Sequence, residues 1–108
     1  MKTGDIILIP FPFAELTNKK VRPAVVVCKT KDKYRDLVIC AISSVVPKTL
    51  NENEILLKTT SQNGLRKQSV LKVDRILTAK KKDVIVRIGE LDKTDLEIFK
   101  EKFKNLVG

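Results

Sequence analysis

The chain has 108 residues, 43% of them apolar, which suffices for one folded domain with a small core and argues against disorder. Its 22 lysines and arginines stand against 13 acids, a formal charge of +9 that points to a polyanionic partner. Histidine is absent, which excludes histidine triads, histidine acid–base pairs and histidine-containing metal sites.

Gly4-Asp5 opens the first strand. Ile7, Ile9, Phe11 and Phe13 recur with a period of two on one face, and Ile6 and Leu8 fall on the other, so burial on both sides is expected. Pro10 and Pro12 cannot donate to a ladder, which makes Phe11–Phe13 an edge or a bend. Phe13, next to the following loop, is either a core residue or a surface on which a base stacks. Residues 14–20 read as a loop, with Thr17-Asn18 as its turn and Glu15 as its single acid.

Val21–Lys29 is the second strand. Pro23 fixes its own φ and pushes Arg22 into an extended conformation. A guanidinium is thereby held at the mouth of a strand beside Lys19 and Lys20. Its five donors in a rigid fork suit a phosphate; the alternative is a solvated charge at a strand edge. After the charged loop 29–35, Leu37–Ile42 forms a nearly all-apolar third strand ending in Ser43-Ser44. Those hydroxyls either terminate the strand by bonding the backbone or face a ligand. Cys28 and Cys40 lie inside these strands rather than in a CxxC spacing, so they read as reduced, packed thiols and not as zinc ligands.

Residues 45–53 form a loop that exposes Lys48. Ile55–Thr59 is a short strand, and Asn63-Gly64 signals a turn. Ser69–Leu77 follows, where strict alternation puts Leu71, Val73, Arg75 and Leu77 on one face and Val70, Lys72, Asp74 and Ile76 on the other. Lys80–Lys82 is expected to be a solvated turn. Val84–Ile88 is the last strand, closed by Gly89. Asp92 reads as an N-cap, with Asp95 favouring the positive helix start, and Leu96, Phe99, Phe103 and Leu106 form one stripe of a helix over 93–106. Six short strands without intervening helices predict a mainly β fold: a small antiparallel barrel with a C-terminal helix. No apolar run approaches the roughly 20 residues of a membrane span, and no signal-peptide pattern is visible, so a cytoplasmic protein without a membrane contact is expected. No cofactor or metal is implied.

The order of several short motifs is more specific than any one of them. Gly4-Asp5, Pro10-Phe11-Pro12-Phe13, Arg22-Pro23-Ala24-Val25-Val26-Val27, Ala41-Ile42-Ser43-Ser44, Asn63-Gly64-Leu65, Ser69-Val70-Leu71 and Arg87-Ile88-Gly89-Glu90-Leu91 are followed by a helix. Over nearly the whole chain this resembles the MazF/PemK family of toxin–antitoxin toxins, especially its short members with a Pro-Phe-Pro-Phe first strand. The resemblance implies an SH3-like barrel shared with CcdB-type toxins, a homodimer, an acidic antitoxin as protein partner, and metal-independent, sequence-specific cleavage of single-stranded RNA by 2′-hydroxyl transesterification. It assigns the catalytic pair to Arg22 and Ser43, a serine where the family usually has threonine. RNA contacts are expected from Phe13, Glu15, Lys19, Lys20, Ser44, Lys48 and Arg75. Arg75 begins an Arg75-Ile76-Leu77-Thr78 run where many members have Gln-Ile-Arg-Thr, and arginine reads base edges that glutamine does not. The general base stays open among Glu15, a neighbouring carboxylate and Arg22 itself, although arginine is too basic for an efficient one. Two other readings use the same fold: a barrel that binds RNA or DNA without cutting it, and a CcdB-like poison of DNA gyrase.

Overall fold

Apolar side chains on both faces of the first strand give the sheet two cores. The computed structural model describes residues 1–11 and 20–108. Among these, the strands are β1 (Asp5–Phe11), β2 (Lys20–Lys29), β3 (Leu37–Ser43), β4 (Glu54–Leu57), β5 (Ser69–Ala79) and β6 (Val86–Glu90), followed by the helix α1 (Lys93–Asn105). All pairings are antiparallel, in the order β4-β5-β3-β2-β1-β6, and the sheet curls into a half-barrel.

One face packs Ile6, Val25, Cys40, Ile42, Leu71 and Val73 under Phe99 of α1, with Leu96, Phe103 and Leu106 against the same cluster. The helical stripe expected from the sequence is therefore the face that α1 buries. Asp92 caps it: its carboxylate accepts from the Asp95 N–H at 2.7 Å, satisfying one of the donors left open at a helix start. The opposite face, away from α1, holds Ile7, Ile9, Phe11, Ala24, Val26, Leu37 and Ile39.

The prolines sit where pairing lapses. β6 accompanies β1 only as far as Leu8, so Pro10 lies where β1 has β2 alone as its neighbour. Pro23 precedes Ala24, the first residue of β2 with a partner on β3. β2 and β3 thus separate at the end that carries Arg22 and Ser43.

Two expectations change. The strict alternation of β5 fails because its register against β3 jumps between Cys40↔Ile76 and Ile42↔Leu71. The bulge takes Lys72–Arg75 out of the ladder with β3, although Lys72 still pairs with Glu54 of β4, so Leu77 lies on the opposite face from Leu71 and Val73. The last strand also does not close at Gly89; it runs through it to Glu90. Gly89 is buried against the turn that contains Gly64, and a Cβ there would lie 2.3 Å from the Gln62 carbonyl oxygen. Gly64 itself has φ +69°, the left-handed region that glycine enters without penalty. Asn63 is buried and satisfied in this turn: its amide donates to the Lys58 carbonyl, and its Oδ1 accepts from the Thr60 and Leu65 N–H groups. At the start of β1, Asp5 pairs with Arg87 at 3.1 Å, and Arg87 also holds Glu90, which together push the guanidinium pKa up.

Candidate active site

The site grows from register. Ala24 faces Ala41 in the last pair of the β2–β3 ladder, and Arg22 and Ser43 each lie two residues further along. Side chains alternate along a strand, so both project to the face of Ala24 and Ala41, where the helix is absent. The parted strands leave a cleft of about 410 Å³ between them, lined by Arg22 and Ser43 together with Phe11, Lys72, Asp74, Arg75 and Leu77. The bulge in β5 delivers Lys72, Asp74 and Arg75 to the cleft together.

The Ser43 Oγ accepts from the Val45 N–H at 3.1 Å, which ends the strand, and the residue lines the cleft. Accepting uses a lone pair and leaves the O–H to donate to a ligand. Arg22 is half-buried at the cleft wall. Lys72 is tied to Glu54 by a 4.0 Å ion pair. Among the described residues that line it, Arg22, Lys72 and Arg75 outnumber the one carboxylate, Asp74, and make the cleft positive. Cys40, behind the wall, has its thiol pushed up to about 12 by burial and then by the charge of Asp74. It donates to the Val73 carbonyl and is no nucleophile.

Of the residues predicted from sequence, Arg22, Ser43 and Arg75 meet in this cleft. Lys20 heads β2 directly opposite Phe11, exposed and on the same face as Arg22. Ser44 and Lys48 are exposed in the segment after β3 and do not line the cleft. Phe13, Glu15 and Lys19 lie outside the described residues. Sequence reasoning missed Lys72 and Asp74. Their signal was a run of polar residues interrupting an apolar strand: strict alternation set Lys72 and Asp74 opposite Leu71 and Val73, where the cleft lies, but put Arg75 on the other face.

A second cleft of about 390 Å³ shares Phe11 and Leu77 with the first and continues along β5 to Lys80 and Lys82. The two form one trough across the sheet face.

The family model for PemK-like, MazF-like toxins of type II toxin–antitoxin systems matches residues 2–107. The chain belongs to this family. The MazF-like fold is also shared with solved structures. One is an endoribonuclease in complex with its cognate antitoxin from a mycobacterial species, with TM-score 0.72 and 12% identity, covering 100% of this chain and 95% of that one. Another is the Mycobacterium tuberculosis toxin MazF-mt6, with TM-score 0.69 and 18% identity, covering 95% of each chain. No curated protein matches the sequence at a significant level. In this MazF-like toxin, no helix among the described residues is long and apolar enough to cross a membrane.

Proposed function

We propose that this MazF-like toxin is a metal-independent endoribonuclease that cuts single-stranded RNA in the Arg22–Ser43 cleft. The observation that carries this reading is the convergence of a guanidinium, a hydroxyl donor and one carboxylate on the wall of a single positive cleft.

The chemistry follows from those groups. The RNA 2′-oxygen attacks the adjacent phosphorus as its proton passes to the Asp74 carboxylate. The bond from phosphorus to the 5′-oxygen breaks, and that oxygen takes a proton from solvent. The products are a 2′,3′-cyclic phosphate and a 5′-hydroxyl. Charge accumulates on the non-bridging oxygens, where Arg22 offers its fork and Ser43 its O–H; a preorganised donor of this kind contributes about 3–4 kcal/mol to the transition state. Asp74 is assigned as the base because its carboxylate belongs to the cleft lined by Arg22 and Ser43. Lys20, Lys72 and Arg75 hold flanking phosphates or base edges.

The working form is a cytoplasmic homodimer. Ile85 and Val86, side by side at the head of β6 and outside the lining of the cleft, are 55% and 47% exposed, and a second copy would cover them. An acidic antitoxin complements the +9 chain.

The test is incubation of the purified protein with a long unstructured RNA in EDTA, beside Arg22→Ala and Asp74→Asn, with mapping of 5′ ends. Discrete cuts bearing 5′-hydroxyls, lost about 10²–10³-fold in Arg22→Ala, are expected. Unchanged cutting by Arg22→Ala refutes its role. Uncut RNA that still shifts on a gel identifies a binding relative instead.

A further inference from the structure

Beyond the cleft, the trough ends at a basic and aromatic platform. Its floor is the lysine turn Lys80–Lys82 and its wall is Tyr34 with Asp36 on the β2–β3 hairpin. We infer that this platform is a second RNA subsite, which stacks one base on Tyr34 and holds neighbouring phosphates on Lys80–Lys82. The inference rests on the reading of the chain as an RNA-acting protein and adds a binding element remote from the chemistry.

Three observations support it. First, charge is concentrated there. Residues 29–36 and 80–83 carry seven cations and three carboxylates, a surplus of four within the net +9 of the chain. No ion pair engages the lysine turn among the described residues. Asp32, at the hairpin tip, is committed to the backbone: its Oδ1 accepts from Thr30 Oγ1, the Tyr34 N–H and the Arg35 N–H.

Second, the aromatic ring is presented rather than packed. Tyr34 is 67% exposed, and the Lys33 ammonium lies 5.2 Å from its ring centroid. The tip beneath it is built by hydrogen bonds: Thr30 and Asp36 are joined through N–H to C=O at 2.8 Å and through N–H to hydroxyl at 2.9 Å, and Arg35 turns at φ 49°. A ring on a pre-ordered tip loses little freedom when it binds, and any base offers it a π-face.

Third, the platform is continuous with the cleft. It shares Lys80 and Lys82 with the second cleft, which shares Phe11 and Leu77 with the first. The path follows β3 from Ser43 back to Leu37, about 20 Å at the rise of a strand. That length spans about six nucleotides stacked as in a duplex strand, or fewer when extended. An RNA cut at Arg22 therefore reaches Tyr34 only if it is several nucleotides longer on that side.

The experiment uses two fluorescein-labelled, 2′-O-methyl oligouridylates that cannot be cleaved, a short one filling only the Arg22–Ser43 cleft and a long one able to reach the hairpin. Binding is measured across a salt series for the wild type, Tyr34→Ala, Tyr34→Phe and the double variant Lys80→Ala/Lys82→Ala. For the long probe, Tyr34→Ala is expected to lose about fivefold or more in affinity while Tyr34→Phe keeps it. The lysine double variant is expected to flatten the plot of log affinity against log salt by about 1.4, or about 0.7 per phosphate contact on a single strand. The short probe should bind all variants alike. If the long probe binds every variant as it binds the wild type, the subsite is overturned and the cleavage reading stands. If the variants weaken the long probe but no RNA is ever cut, the subsite stands and the cleavage reading falls. Loss of binding to purified antitoxin, with RNA binding intact, would overturn the subsite and assign the platform to protein.

Discussion

Removal of the Ser43 hydroxyl separates its two roles. In Ser43→Ala the Val45 N–H loses its acceptor, but Val45 is 75% exposed and water replaces the bond, so the stability cost stays at or below about 1 kcal/mol. The phosphate loses a preorganised donor, which lowers cleavage about 10²–10³-fold. Ser43→Thr runs the opposite way. Threonine keeps the hydroxyl and narrows χ1, and restriction from three staggered wells to one is worth at most RT ln 3, about 0.6 kcal/mol or threefold in rate. Part of that restriction already exists, because the 3.1 Å bond from the Val45 N–H tethers the serine Oγ. Ser43→Thr should therefore cleave within about threefold of the wild type. The assay is single-turnover cleavage of a fluorogenic RNA, with thermal melts of each variant alongside. If Ser43→Ala cuts as fast as the wild type, the hydroxyl is only a strand terminator. If Ser43→Thr loses more than about tenfold, the side chain must swing during reaction and the tether argument fails.

Other outcomes follow from the same structure. Asp92→Ala removes the cap of α1 and should cost about 1 kcal/mol in urea unfolding, with cleavage unchanged because α1 packs on the face opposite the cleft. Gly89→Ala drives a methyl to within 2.3 Å of the Gln62 carbonyl oxygen; about 1–3 kcal/mol of lost stability is expected, and an unchanged melting temperature would show that β6 moves freely against the turn. Cys40 gives a pH signature. Its thiol loses its proton at 9.0 in the ordinary state and at about 12 when folded, so the unfolded chain binds fewer protons between those values. The stabilisation is complete below 9 and is lost as pH rises through 12, at about 1.4 kcal/mol per pH unit, and Cys40→Ala should remove that slope from unfolding midpoints measured on the alkaline side.

What could be read in advance was what depends on local period and local chemistry. The helical stripe from Leu96 to Leu106 and the Asp92 cap need only residues three or four apart, and both stand as expected. The two-sided burial of β1 also needed only a period of two. The β5 bulge is different, because it is a relation between strands distant in sequence: β3 sets which residues of β5 must be skipped. Alternation carried through Lys72–Arg75 therefore put Arg75 and Leu77 on the face of Leu71 and Val73, apart from Lys72 and Asp74, and the convergence of these side chains on one cleft was missed. Gly89 failed for a similar reason. Its lack of a Cβ serves the Gln62–Gly64 turn that crosses over it, not the end of its own strand.

The cleft exists because pairing stops there. A fully laddered sheet offers a flat face, with backbone donors and acceptors consumed by neighbours. Here β2 gains its β3 partner only after Pro23, and β3 continues past that point to Ser43 with β5 alone. The separation opens a notch whose walls are two strand ends, so Arg22 and Ser43 are held by ladder on one side and face solvent on the other. The β5 bulge then supplies the third wall, at the level where Ala41 has no direct partner across it. A proline beside an arginine, a hydroxyl at the end of the neighbouring strand and an irregularity that brings a carboxylate to the same face thus put the three groups of the proposed site on one rigid sheet.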